Sequence, residues 1–532
     1  PVARRPRYAS GLHCLRRRAT MDAQPTIGDP ARTSGSVSLA ERRVWLDVTG
    51  SILWHSGPLS PLGADVLRRA MVHLQRAVVR VSRDPADPRN LMGVFDRRVW
   101  LTLSALRGYL SGASVQRWVG EVEPSLVGHI RDQNLPATDD LRVPEVLPGL
   151  MFQGARAMAS AVAGQLQPKR SAASATAAWS QWLEVLKRRA AHPIDDRGVV
   201  AWVDHILSPT AALVADELMP RIALATTASR AIREPFMGRS DCAPLLDAVT
   251  RGIGGHRVTT FMGLEPSERC ARFGHWGPGA LDVHTPQDGL RASADRSDPR
   301  AFRRAFEQAR QARRLAVSTL ASELHGPLER ARFLAAADVV DSLGGLSDWP
   351  LDALLHCLDP IRKRLWQLAE ASTGALDLAD WGALTLSDLE RIHGGDAPEN
   401  DREATLPGTN IRSLCPVTSG VLVAGPFEGM VVDVGTKSPV APSETIWRAE
   451  HLDMHLAERL TACAGILVAR DGAYGPAGVL AAAIGRPCVS VPRGALPEPG
   501  RWVRVDRAGR ITAIKGQGQH PAMADSAGPS AQ

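Results

Sequence analysis

The sequence predicts a multidomain protein, with a mostly α-helical N-terminal domain followed by a compact α/β domain. Three observations carry that expectation. A chain of 532 residues exceeds what one hydrophobic core usually serves. From Arg42 to about Ile392, apolar residues recur at three- and four-residue spacing, the period of an amphipathic helix. Beyond residue 410 the texture changes to short apolar runs punctuated by turn residues, as strands alternating with helices require.

In the first half, ADVLRRAMVHLQRAVVRV (64–81), ATAAWSQWLEVLKRRA (175–190) and PRAFRRAFEQARQARRLAVSTLASEL (299–324) predict helices. In the second half, GVLVAGPFEGMVVDVG (420–435), AGILVARDG (464–472), RPCVSVP (486–492) and RWVRVDRAGRITAI (501–514) predict strands. SETIWRAEHLDMHLAERL (443–460) and PAGVLAAAI (476–484) predict helices between them. Residues 1–40 are expected to be a disordered or mis-annotated leader, with Met21 a sensible start, and order is expected from residue 41. The helical domain then runs over 41–395, a polar linker over 396–410 (DAPENDREATLPGTN), the α/β domain over 411–515 and a disordered tail over 516–532.

Composition narrows the function classes. Hydrophobic residues make up 44% and charged residues 22%, as in soluble globular proteins, and the sequence holds no continuous apolar run of the roughly 18 residues that crossing a bilayer needs. A cytoplasmic protein without a membrane partner is expected. The formal charge is +7, but six arginines (Arg4, Arg5, Arg7, Arg16, Arg17 and Arg18) fall within the first twenty residues, leaving the rest near neutrality. That balance speaks against a nucleic-acid footprint. Seven scattered cysteines without a CxxC pair indicate neither a disulfide framework nor a thiolate zinc site. Walker A, Rossmann, G-x-S-x-G and HExxH motifs do not occur.

One segment carries more. In GILVARDGAYGPAGVLAAAIGRPCVSV (465–491), Gly465, Gly472, Ala477, Ala481, Gly485, Pro487 and Val489 fall in register with a strand–glycine turn–helix–strand pattern, and WVRVDRAGRITAI closes it. The segment resembles the swivelling phosphohistidine domain of PEP synthases, pyruvate phosphate dikinases and rifampin phosphotransferases. Two upstream stretches are similar to the acceptor part of the same superfamily. They are VWLDVTGSILWHSGPLSPLGADVLRRA (44–70), through Pro58, Leu59, Ser60, Pro61 and Leu62, and RFGHWGPGALDVHTP (272–286), through Gly274, His275, Gly277, Pro278, Gly279, Asp282 and Pro286. GALTLSDLERI (382–392) is a fainter echo.

The departures from that pattern matter as much as the matches. Tyr474, Gly475 and Pro476 stand where the family has Thr, Ser and its catalytic His. Proline offers no nucleophile, although it starts a helix well. Trp276 and Ala280 stand at the family's arginine and glutamate, and Ala482 and Ala483 at an Arg-Glu pair in the helix. About forty residues precede the match, and none resembles an ATP-grasp domain. The resemblance therefore implies a protein incompetent in autonomous phosphotransfer that binds a metabolite or serves as an accessory component. The alternative is a phosphotransferase, ligase or condensation enzyme working with a separate ATP-grasp subunit, through which alone ATP and Mg²⁺ would enter.

No catalytic residue stands out. His275 is a candidate general base with Asp282 nearby, and the plain alternative is a turn residue in a Gly-Pro loop. Trp276, His275, Trp54 and Ser60 are candidates for contact with a small-molecule ligand. Trp45, Trp54, Met92, Met151, Met262 and Trp276 would either line an apolar pocket or fill the core. His451 and His455, with Glu450 or Asp453, have metal-binding spacing but no third ligand at a diagnostic distance, so no metal is expected.

Overall fold

A computed structural model describes residues 45–49, 53, 58–79, 92–95, 97–102, 164–194, 198–252, 254–276, 280–283, 299–373, 384–394, 420–423, 425–434, 436, 438–450, 460–469, 476–491 and 494–514. The leader at 1–40, Trp54, Met151, the linker at 396–410, His451, Asp453, His455 and the tail at 516–532 lie outside them. The described residues all fall within Ala40–Gln532, the second of two units into which the chain divides.

The second unit opens on a small antiparallel sheet of order β1-β3-β2, made by Trp45–Asp47 (β1), Met92–Phe95 (β2) and Arg98–Thr102 (β3). Between β1 and β2 runs α1 (Pro61–Val79). Pro61 at its first position lacks the N–H that would go unbonded there, and Leu62, Val66, Leu67, Ala70 and Met71 form its buried stripe.

The following helices are α2 (Pro168–Ala191), α3 (Gly198–Ala212), α4 (Met219–Arg233), α5 (Ala243–Thr250), α6 (Arg257–Gly263), α7 (Pro266–Phe273), α8 (Pro299–Ser322), α9 (Pro327–Leu343), α10 (Trp349–Thr373) and α11 (Leu386–Gly394). Their cores follow the sequence period, as with Ala175, Trp179, Trp182 and Leu186 on α2. The expected helices at 64–81, 175–190 and 299–324 correspond to α1, α2 and α8. The strands β2 and β3 were not foreseen, because each is too short to show a period against its helical surroundings.

Residues Gly198–Phe236 form one helical run, α3 to α4 through a π-helical turn at Leu213–Leu218, apolar and long enough to cross a membrane by composition alone. Charged positions interrupt it, which hides it from a search for an unbroken apolar stretch. In this fold 56% of its most apolar window is buried against neighbouring helices, the environment of a core helix.

The C-terminal part is a seven-stranded mixed sheet of order β10-β9-β5-β6-β7-β8-β4. Its strands are Gly420–Val423 (β4), Phe427–Asp433 (β5), Thr445–Ala449 (β6), Gly465–Ala469 (β7), Cys488–Val491 (β8), Trp502–Val505 (β9) and Ile511–Ala513 (β10), and one helix, α12 (Pro476–Ile484), crosses from β7 to β8. The centre, β5 to β8, is parallel, while β4, β9 and β10 pair antiparallel.

Here the expected helix at 443–460 is corrected over 443–450, while 451–459 lie outside the described residues. Thr445–Ala449 is a central parallel strand, and the buried residues of its TIWRA segment owe their conformation to two neighbouring strands. Helix α12 packs on the sheet with one side and on α6 and α8 with another, so a continuous apolar core runs from Phe302 and Leu320 to Leu480 and Ile466.

Glycines permit two close approaches. A Cβ on Gly345 would overlap the Gly254 carbonyl and come within 2.7 Å of the backbone of Gly255 and His256. A Cβ on Gly429 in β5 would lie 2.8 Å from the Glu444 carbonyl carbon. Gly345→Ala and Gly429→Ala are each expected to lower the unfolding free energy by about 1–3 kcal/mol in urea titrations, with secondary structure retained by circular dichroism.

Candidate functional site

Helix α10 supplies one wall of the candidate site. Along WPLDALLHCLDPIRKRLW, the polar residues Asp352, His356, Asp359 and Arg362 recur at three- and four-residue spacing and share one face. Opposite lie α6 and residues 273–276 and 280–283; Gly345, just before α10, packs tightly on residues 254–256, just before α6. Asp348, just before α10, caps α6: its carboxylate accepts the N–H groups of Arg257 at 3.0 Å and Val258 at 2.9 Å. A carboxylate at a helix N-terminus satisfies two otherwise unbonded donors and complements the helix dipole.

That cap aims the side chain of Arg257. Its guanidinium lies 4.8, 5.1 and 5.4 Å from the ring centres of Trp179, Phe273 and Trp349, and its Nε donates to Oδ2 of Asp352. The Asp352 side chain is fully buried. Its Oδ1 accepts the Trp276 indole N–H at 2.6 Å and faces His275 Nε2 at 2.6 Å and His356 Nδ1 at 3.3 Å. The His356 Nδ1 also lies 3.1 Å from the Asp352 carbonyl oxygen, and the two imidazole centres are 3.4 Å apart. One ring nitrogen from each histidine and one oxygen of Asp352 thus converge, an arrangement able to hold a metal ion.

Burial pulls the His275 imidazole down to about 4, and the Asp352 charge only partly offsets it. Burial works against ionisation of Asp352 as well, but His275 and His356 outweigh it and hold the carboxyl well below the usual range. At neutral pH the pair is therefore a neutral imidazole donating Nε2–H to a carboxylate.

A second node lies further along α10. Ser60 is the N-cap of α1: its Oγ accepts the Gly63 N–H at 3.0 Å, while its own N–H and hydroxyl donate to the two Asp282 oxygens at 2.5 and 2.6 Å. Gly63 is required there, since a Cβ would overlap the Asp282 carboxylate. Arg362, 4% exposed, donates Nη2–H to the carbonyls of Ala280 at 2.6 Å and Asp282 at 3.3 Å. Among the described residues its buried Nε and Nη1 make no hydrogen bond, and Nη1 lies 3.9 Å from an Asp359 oxygen. Burial lowers its pKa, and the charges of Asp359 and Asp282 partly counter this.

The structure brings the candidate residues together in two pairs rather than one. Asp282 is joined to Ser60, and His275 is joined to Asp352. Trp276 is buried, stacked on Phe261 with centres 5.5 Å apart and edge-on to Phe273 at 4.9 Å. Pro476 opens α12 directly after the β7–α12 connection. Glu450 follows β6, and its partners in the suggested metal set lie outside the described residues. Arg257, Asp352, His356 and Arg362 escaped the sequence reading. The one signal for Asp352, His356 and Arg362 was the polar stripe along α10, which becomes informative only once that face is known to be buried.

No family model and no curated protein matches the chain.

Two outcomes are expected. His275 titrates near its ordinary value of 6.5 when unfolded but at about 4 when folded, so the unfolded chain binds the extra proton and stability falls as pH drops from about 6.5 to 4. In His275→Gln that loss, on the order of 2 kcal/mol, should shrink in urea titrations at pH 7 and pH 5. Asp352→Ala, which strands the Arg257 charge among aromatic rings, should cost about 3–5 kcal/mol.

Proposed function

We propose that this chain is a divergent relative of the PEP-utilising phosphotransferases that binds a small metabolite beside the 273–283 segment and carries no phosphoryl group itself. The observation that supports this most is the Ser60–Asp282 clasp. The two stretches that resemble the acceptor part of that superfamily are 222 residues apart in sequence, and they meet through two short hydrogen bonds. Two motifs found separately would be expected to meet if both belong to one ligand-binding region.

The C-terminal part adds support for a non-shuttling role. The β7–α12–β8 unit has the strand–helix–strand order of a phosphohistidine domain, with proline where the nucleophile would stand. A proline nitrogen within the chain bears no proton to exchange and no lone pair for phosphoryl attack. Helix α12 also lies against α6 and α8, a packing that a domain carrying phosphate between sites would have to break.

The reading is tested with ³²P-labelled phosphoenolpyruvate and Mg²⁺. Neither the protein nor Pro476→His should acquire acid-labile, base-stable label, because the Thr, Ser and Arg-Glu positions of the pattern are changed too. Label on either protein overturns it. If label appears only after an ATP-grasp protein and ATP are added, the two-subunit phosphotransferase reading replaces it. Ligand binding is tested by a thermal-shift screen of phosphorylated and carboxylate metabolites. A compound that raises the melting temperature should lose that effect in Asp282→Asn, while the absence of any such compound counts against a metabolite site.

A further inference from the structure

We propose that His275, Asp352 and His356 bind one divalent ion of the zinc class, through Nε2, Oδ1 and Nδ1 respectively. The donor atoms, one from each residue, lie within 4.8 Å of one another. Asp352 and His356 are a helical i, i+4 pair, and His275 arrives from a different element, so the set encloses a point in space rather than lining one surface.

The distances approach those of a four-coordinate site. With metal–ligand bonds of about 2.1 Å, neighbouring ligand atoms stand about 3.4 Å apart. His356 Nδ1 is already 3.3 Å from Asp352 Oδ1. His275 Nε2 is 2.6 Å from the same oxygen, so its ring must recede by less than about 1 Å. On binding, the hydrogen of His275 moves from Nε2 to Nδ1 and that of His356 from Nδ1 to Nε2, and His356 Nδ1 exchanges its 3.1 Å contact with the Asp352 carbonyl for the ion.

The surroundings resemble the support that metal ligands need. Trp276 Nε1 holds Oδ1 and Arg257 holds Oδ2, which fixes the carboxylate while Oδ1 keeps room for the ion. Two imidazoles and one carboxylate suit Zn²⁺, Co²⁺ or Ni²⁺, whereas Mg²⁺ and Ca²⁺ prefer all-oxygen shells. Asp359, whose charge reaches His275, lies one turn along α10 and is paired with Lys363 at 2.7 Å. Three protein ligands leave a fourth position for water or a bound molecule, as in catalytic rather than structural zinc sites.

The test is a titration of the full chain, stripped with a chelator, with Zn²⁺ in competition with a chromophoric indicator and with Co²⁺ followed by visible absorption. One equivalent is expected to bind, and Co²⁺ should show the intense bands of a four-coordinate site. His356→Ala, whose side chain is partly exposed, should weaken binding by at least about 100-fold, while a His451→Ala/His455→Ala double variant should bind as the parent does. Absence of stoichiometric binding to the parent overturns the proposal. So does binding that survives His356→Ala or disappears in the double variant, since the ion would then sit elsewhere. Should His275→Ala fail to fold, the parent and His356→Ala titrations still decide.

Discussion

The carboxylate of Asp352 is fully buried, and the arrangement around it follows from that constraint. An ionised carboxylate taken from water into a protein interior costs several kcal/mol, and only an opposite charge with good hydrogen bonds offsets it. Asp352 obtains these from Arg257, His275 and Trp276, with His356 close by. These partners come from α6, from the 273–276 segment and from α10 itself, so satisfying one anion aligns the three. The Asp348 cap performs the same task one turn earlier, because it orients the backbone from which Arg257 departs.

Arg362 extends this logic to the α1 end of the site. Its Nη2 holds the backbone on either side of Leu281, which places the Asp282 carboxylate at the N-terminus of α1, where Ser60 and the helix dipole receive it. A single helix face, running from Asp352 to Arg362, thereby positions two polar nodes that are distant in sequence. The nodes differ in character. Asp352 spends both oxygens on charged and aromatic donors, whereas two buried nitrogens of Arg362, Nε and Nη1, make no hydrogen bond among the described residues, with Nη1 3.9 Å from the Asp359 carboxylate.

The C-terminal sheet is held to the helical part through α12. The wholly apolar PAGVLAAAI has no polar side to give to solvent, so it is buried on both sides, against β7 and β8 and against α6 and α8. An all-round apolar helix must be enclosed in this way. The alanines at 481–483 serve that contact, since small side chains let α12 approach both neighbours closely.

Much of this architecture was legible in the sequence. The apolar periods of α1, α2 and α8 and the alternation of apolar runs after residue 420 are local properties, written in side chains a few residues apart. The strand at Thr445–Ala449 was not legible, because its conformation comes from pairing with β5 and β7, and a helical period over neighbouring residues masked it. The same division runs through the site. Ser60, His275 and Asp282 were found by their motifs, but their partners were not. Asp352, His356 and Arg362 look like ordinary polar residues on an amphipathic helix until packing removes that face from water. Sequence by itself determined the strongly periodic helices, such as α1, α2 and α8, and where the unusual polar and proline residues stand. Only the tertiary structure decided which of them are desolvated, and desolvation makes a carboxylate and two imidazoles seek one another.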